Sequence, residues 1–413
     1  MKKIYNFKDL TKSKSCSLYN YAKSLIPGGT QLLSKRPELF APDVWPAYYS
    51  KAKGAMVWDL DDRSFLDMSI MGVGANILGY SDPDVDEAVI SAIRNGSSSS
   101  LNSPKEVELA EILIELHPWF GMVRYTRAGG EAMNVAVRIA RAKTQRSKVL
   151  FSGYHGWNDW YLAANIANDK NLDGQLMPGL QPSGVPRELH GTAIPFNADS
   201  YEELLNKVIG VEKEIAAVVI EPARGTYSNA EFLNKLRVLC DDIGAVLIYD
   251  EITSGFRECL GGLHRQFPSK PDIAVLSKAM SNGYPCSAII GSKSVMENAQ
   301  DTFISSCMWT ERLGFAASLA TIKKFRKISL QKKLIKYGKQ IKNGWEDVSK
   351  NTGVKILIAG IDPIPQFTFE KNHIVKSTFF NQEMLKRGYL VNNRLCTTKA
   401  YNDKIIKKYL DNI

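Results

Sequence analysis

The sequence has no apolar run long enough to cross a bilayer. Stretches such as Ala216–Ile220 fall far short of the ~20 residues a spanning helix needs. The opening residues, Met1 to Leu10, carry positive charge with no apolar stretch behind it, so neither a signal peptide nor an anchor is expected. Six cysteines (Cys16, Cys240, Cys259, Cys286, Cys307 and Cys396) are scattered without paired spacing. They give no disulfide frame and no zinc cluster, and no metal site is expected. Internal repeats and low-complexity tracts are also missing. These absences describe a reduced, cytoplasmic, globular chain that does not enter a membrane.

What remains is ordinary in bulk and uneven in charge. The chain has 413 residues, 44% hydrophobic and 23% charged, enough for two or three domains. Its formal charge is +10, and nine Lys/Arg with no acid fall between Lys323 and Lys342. Ile328, Leu334, Ile335 and Ile341 among them predict an amphipathic helix. Its basic side reads either as a solvated face or as a polyanion site. No nucleic-acid motif accompanies it, so nucleic acid is not the expected partner. Solubility, or attraction of anionic substrates, accounts for the charge more simply.

The middle of the chain alternates short apolar runs with helical patterns, the mark of a mostly parallel α/β sheet. Ser103-Pro104-Lys105-Glu106 reads as a capping box opening a helix to about Leu116. A strand at Met122–Thr126, a glycine turn, a helix over Glu131–Lys143 and a strand at Lys148–Phe151 follow. Three later segments repeat one design. Ile215–Ile220 ends in Glu221-Pro222, Ala245–Tyr249 in Asp250-Glu251, and Ile273–Leu276 in Ser277-Lys278. A helical pattern, about Ala230 to Asp242, separates the first two. Ligands of open parallel sheets bind beyond the carboxyl ends of the strands, so the lysine and the acids should face one another across a site. Gly54–Trp58 reads as the first strand of a hairpin turning at Asp61-Asp62. Residues 60–305 are expected to form a large domain, and 1–59 with 306–413 a smaller α+β one.

Lys278 follows an apolar strand and precedes a turn-rich segment, Ala279 to Pro285. Partial burial disfavours the charged form of an amine, and a neutral amine can attack an aldehyde as Schiff-base lysines do. The plain alternative is an exposed structural lysine. Asp250 could hold a pyridinium nitrogen protonated, making the ring an electron sink, or it could be an ordinary cap or ion-pair partner. Ala128-Gly129-Gly130-Glu131, between strand and helix, leaves backbone N–H groups open as a phosphate cradle, although any tight turn can use two glycines. Tyr154-His155-Gly156 could set an aromatic ring against a flat cofactor, or simply belong to the core. His155 reads equally as a hydrogen-bonded structural histidine.

Together these residues resemble the class III aminotransferases of pyridoxal-5′-phosphate (PLP) fold type I, most closely their glutamate-1-semialdehyde aminomutase-like branch. The resemblance runs from Ile26-Pro27-Gly28-Gly29 nearly to the C-terminus. Its most specific part is Asp250-Glu251-Ile252-Thr253-Ser254-Gly255-Phe256-Arg257, then Pro271-Asp272-Ile273 and Lys278. It implies that Lys278 carries the cofactor as a Schiff base and that Asp250 meets the pyridinium. Ile252 and Tyr154 would lie on the two ring faces, with His155 and Glu221 alongside, and Gly129 and Gly130 would bind phosphate. The family's Ser-Gly-Thr phosphate turn is here Ala-Gly-Gly, so backbone amides must do more of the work. A partner subunit lends the family a threonine at the phosphate. Alignment puts Cys307 at that place, with Ser305, Ser306 and Thr310 nearby.

The substrate side departs further. Thr226 stands where many relatives carry glutamate, and Met71-Gly72-Val73-Gly74 replaces a Ser-Trp-Gly gate. Lys35 and Arg36 fall where Ser-Pro-Val-Arg binds carboxylate, and the stretch around Arg394 lacks the aminomutase's acid. The resemblance therefore implies a homodimeric aminotransferase with a small-molecule amino donor, L-glutamate, and an unidentified carbonyl acceptor. Surface-polysaccharide or nucleotide-sugar metabolism is the context by analogy. Two alternatives stand beside it: glutamate-1-semialdehyde 2,1-aminomutase, and a non-catalytic polyanion-binding protein on the same fold.

Overall fold

A computed structural model describes residues 5–413 apart from 169, 174, 176–179 and 224. The chain divides into a terminal unit, Met1–Asp86 with Ile328–Ile413, and a central unit, Glu87–Lys327. The sequence pattern puts these boundaries nearer 60 and 305. Two packing facts account for the difference. The expected hairpin extends past residue 60: β2 (Met56–Asp59) pairs with β3 (Ser64–Met68), after β1 (Tyr49–Lys53) has paired with β2. At the other end, Phe315 packs on Tyr125, and Phe325 on Phe256, within the central unit.

The central unit contains β4 (Met122–Thr126), β5 (Lys148–Ser152), β6 (Ala193–Pro195), β7 (Ile215–Ile220), β8 (Val246–Asp250), β9 (Ile273–Leu276) and β10 (Ser287–Gly291). They form one sheet in the order β4-β10-β9-β8-β7-β5-β6. From β9 to β6 every pairing is parallel. All side chains of β7, β8 and β9 are buried, as in a sheet covered on both faces. Successive residues point to opposite sides. Ile248 joins a core under helix Gly129–Thr144, whereas Leu247 and Tyr249 join one under helix Ala230–Ile243. β10 runs antiparallel to both neighbours. Its short Ser277–Cys286 connection cannot make the crossover a parallel strand requires.

Helix Pro104–Leu116 opens as expected on Ser103, but without the reciprocal capping box. The Ser103 hydroxyl accepts from the Lys105 N–H at 3.3 Å, and the Glu106 N–H donates to the Ser103 carbonyl at 3.2 Å. The helix expected from Glu131 begins at Gly129, so the two glycines are its first residues.

The terminal unit resumes with β11 (Ile356–Ala359), β12 (Gln366–Phe369) and β13 (Tyr389–Val391). β13 lies parallel to β3, which completes a four-stranded sheet from both parts of the sequence. The expected basic helix is two helices, Leu313–Ile328 and Leu330–Thr352, separated by Ser329 at φ 47°. Leu334 and Ile341 are buried, while Lys336 and Lys342 pair with Asp403 and Asp362 at 2.8 and 3.0 Å. Among the described residues no helix is long and apolar enough to cross a membrane. None of the six cysteines is paired with another.

Gly338 shows how closely this unit packs. A Cβ there would stand 1.5 Å from the Asp362 carbonyl oxygen. Alanine normally stabilises a helix interior by about 1 kcal/mol over glycine. At this contact overpacking should win, costing about 1–3 kcal/mol. Gly338→Ala should therefore lower the melting temperature, and a variant melting at or above the parent would contradict the packing.

Candidate active site

Three adjacent parallel strands deliver ionisable groups to one edge of the central sheet. Register pairs Ile220 with Tyr249 and Asp250 with Val275, so Glu221, Asp250 and Lys278 all emerge at the carboxyl ends of β7, β8 and β9. Asp250 is 3% exposed. Its Oδ2 meets His155 Nδ1 at 2.9 Å, and its Oδ1 accepts the Ile252 N–H at 3.0 Å. His155 Nε2 faces the Ser152 carbonyl at 3.2 Å. The imidazole, stacked against Trp160 with ring centroids 6.1 Å apart, thus meets an oxygen acceptor at each nitrogen.

Lys278 is half-buried, and its backbone is left-handed at φ 44°. Such a conformation costs a side-chain-bearing residue roughly 1–3 kcal/mol and persists only where the surroundings impose it. Its Nζ donates to Thr253 Oγ1 at 2.9 Å. Arg257 Nε in turn donates to the Thr253 carbonyl at 2.6 Å. Thr253 and Arg257 lie inside the motif quoted from the sequence, yet nothing in a linear reading distinguishes them as supports for the lysine.

Ile252 packs onto the glycine turn, where a Cβ at Gly129 would meet its Cδ1 at 2.8 Å. Glu131 fixes the turn by accepting the Arg127 and Ala128 N–H groups, each at 3.0 Å. The Tyr154 N–H donates to Glu221 Oε2 at 3.0 Å, and the Tyr154 ring meets Tyr161 edge-on at 5.9 Å. The Asn158 amide donates to the Gly130 carbonyl at 2.6 Å, a tether the sequence reading missed.

Of the acids at the strand ends expected to face the lysine, Glu251 does not join the site. Strand alternation sends it to the other side of the sheet. There it is fully buried and accepts from Ser254 Oγ, the Leu263 and His264 N–H groups and His264 Nδ1, at 2.5–2.9 Å. Burial alone would raise its pKa, but the adjacent His264 and these donors hold the carboxyl below the usual carboxylate range. His117 stacks on His264 with centroids 5.0 Å apart, and its Nδ1 lies 2.6 Å from the Leu113 carbonyl.

The remaining expected residues lie on other segments of the two units. Thr226 is exposed in the loop that the Ala223–Tyr227 bridge closes. Cys307 and Thr310 are exposed, and Thr310 Oγ1 donates to the Cys307 carbonyl at 2.9 Å. Arg127 anchors that segment through the Met308 and Glu311 carbonyls. Lys35, Arg36, Val73 and Arg394 belong to the terminal unit. There Lys35 is exposed, and the Arg36 guanidinium occupies the space a side chain at Gly28 would need. Val73 is left-handed at φ 60°, with Met71, Gly72 and Gly74 also at positive φ. Arg394 pairs through its backbone with Gln366.

The class-III aminotransferase family model matches residues 40–388. The chain belongs to that family. A 3-aminobutyryl-CoA aminotransferase from Cloacimonas acidaminovorans is 30% identical over 372 residues, covering 88% of this chain and 85% of that protein. A glutamate-1-semialdehyde 2,1-aminomutase from Francisella philomiragia is 32% identical over 349 residues, covering 82% and 79%. Among solved structures, an omega-transaminase from Sphaerobacter thermophilus superposes with TM-score 0.85 at 23% identity, covering 98% of each chain. The fold is that of the PLP-dependent transaminases, α/β of fold type I, and the chain is a PLP-dependent aminotransferase acting on small-molecule amino donors and acceptors.

The residues present fit that cofactor. A carboxylate offers about four acceptor positions. Contacts from His155 and Ile252 leave Asp250 room for a protonated ring nitrogen. Gly129 and Gly130 open a 16-residue helix with no side chains of their own over its first N–H groups. Lys278 supplies a primary amine at the same sheet edge.

The network behind Asp250 gives a pH-dependent stability. Burial, and then His264 nearby, push the His117 pKa from the ordinary 6.5 down to about 3. Between those values the unfolded chain binds a proton that the folded chain does not, so acid weakens the fold across this window. His117→Phe should remove the penalty. Urea unfolding at pH 7 and pH 5 should show the variant gaining up to about 2 kcal/mol on the parent at the lower pH. An unchanged gap would mean that His117 titrates normally in the fold.

Proposed function

We propose that this enzyme transfers an amino group from L-glutamate to a carbonyl acceptor, with Lys278 as the covalent anchor and proton carrier. The observation that carries the reading is the single sheet edge where Lys278, Asp250 and the Gly129-Gly130 turn emerge. PLP, when bound, supplies an aldehyde that links to amines and a ring that withdraws electrons from the carbon next to the nitrogen. With the cofactor bound, the Lys278 amine would hold its aldehyde and, when free, would be placed to carry a proton to and from the donor. The Thr253 hydroxyl holds the amine in place between these duties. Asp250 would accept from a protonated ring nitrogen, with His155 orienting the carboxylate. Ile252 and Tyr154 would hold the ring between them.

We infer a homodimer as the working form. Large apolar side chains are bare on the central unit, Phe303 at 84% and Leu101 at 81% exposure, and Cys307 and Thr310 lie exposed beside Phe303 in sequence. Covering such side chains with a partner would remove apolar surface from water. Sedimentation at twice the chain mass is expected, and a stable monomer with full activity would contradict it.

Two readings of the acceptor follow from different observations. The resemblance suggests a carbonyl compound of surface-polysaccharide or nucleotide-sugar metabolism by analogy, and the relative named for 3-aminobutyryl-CoA suggests the oxo counterpart of that compound. The similarity to aminomutases supports a second activity, isomerisation of glutamate-1-semialdehyde. One experiment separates them. PLP-loaded protein is mixed with candidate amino donors while its visible spectrum is followed, and the converted protein is then offered each acceptor. L-Glutamate should convert the cofactor to its amine form, and one acceptor class should reverse the change. Formation of 5-aminolevulinate from glutamate-1-semialdehyde without added amino acid would replace transamination with the mutase reading. Lys278→Ala should lower turnover by about 10²–10⁴-fold or more while PLP still binds. Near-normal turnover in that variant would exclude the lysine.

A further inference from the structure

The turn assigned to the cofactor phosphate carries no side-chain donor of its own, since it reads Ala128-Gly129-Gly130. The segment Gly156–Asn158 lies directly against it. A Cβ on Gly156 would stand 3.2 Å from the Gly130 Cα, and the Asn158 amide is already committed to the Gly130 carbonyl. Between them stands Trp157. A Cβ on Gly130 would lie 3.2 Å from Trp157 Nε1 and 3.5 Å from its Cδ1. The pyrrole edge of the indole, with its N–H, therefore fills the space a side chain at position 130 would occupy.

This indole is unusual for a tryptophan. It is 70% exposed. An indole nitrogen is a donor only, with no way to accept a bond instead. Beside it the first N–H groups of helix Gly129–Thr144 point away from the helix, where an anion is stabilised. We propose that Trp157 is a cofactor-binding residue whose indole N–H donates to the phosphate held at the Gly129-Gly130 turn. Glycine at 130 makes this possible, because any larger residue would compete with the indole for the same space. The inference rests on the reading of that turn as the phosphate site.

The test compares PLP with pyridoxal, which has the same ring and aldehyde but no phosphate. Both are titrated into cofactor-free wild type and Trp157→Phe, and binding is followed by visible absorbance. The variant keeps an aromatic ring and loses the N–H. A hydrogen bond to a charged group is worth roughly a 10- to 100-fold change in affinity. Trp157→Phe should therefore bind PLP at least about tenfold more weakly, with pyridoxal affinity unchanged. Equal PLP affinity in the two proteins would overturn the proposal. So would an equal loss for both aldehydes, which would make the indole a support for ring or fold. Wild type that binds neither aldehyde, or both equally well, would instead overturn the phosphate site itself.

Discussion

A carboxylate buried at the end of a central strand sets the terms for the rest of the central unit. Removing Asp250 from water costs several kcal/mol unless its oxygens are matched. The match comes from His155, brought in by the segment after β5, and from the Ile252 N–H just beyond Asp250 itself. The far nitrogen of His155 faces the Ser152 carbonyl. Phe151 and Trp160 fix the plane of the imidazole from two sides. The parallel register from β5 through β7 to β8 thus sets where this side chain stands, and a pyridinium nitrogen needs an acidic partner at such a point.

The same alternation that turns Asp250 toward the site turns Glu251 away from it. Two adjacent acids of equal chemistry end in unlike environments: one keeps acceptor positions for a ligand, and the other spends its oxygens on Ser254, Leu263 and His264. Glu251 thereby ties the loop beyond the motif to the underside of the sheet. The lysine is constrained in a different way. Its left-handed backbone stores strain at the start of the short connection into β10, and Thr253, itself held by Arg257, meets its amine.

Much of this was legible in the sequence, for identifiable reasons. Strands such as Ile215–Ile220 are apolar throughout, and their terminal Glu221, Asp250 and Lys278 stand out because ionisable groups rarely end buried runs. The helix after the glycine turn starts two residues before the Glu131 that its pattern suggests, because glycine argues against helix on propensity while its freedom favours the first turn. The basic segment shows a single helical pattern, because Ser329 gives no breaking signal and only its φ of 47° divides the two helices. The face that Glu251 takes is not legible, because a dipeptide does not reveal which side each residue turns to. Asn158 and Thr253 could not be singled out, since their roles arise from contacts with Gly130 and Lys278 far away in the sequence. The substrate residues are the least legible. Thr226, Val73, Lys35, Arg36 and Arg394 replace family positions without an evident chemistry of their own.

The central claim is that one amine, Lys278, bonds the cofactor. Borohydride reduction of the PLP-loaded protein, followed by digestion and mass mapping, tests it most directly, because reduction makes the carbon–nitrogen link permanent. The account predicts one phosphopyridoxyl modification per chain, on the peptide carrying Lys278. A modification on another lysine, or none at full cofactor occupancy, would contradict it.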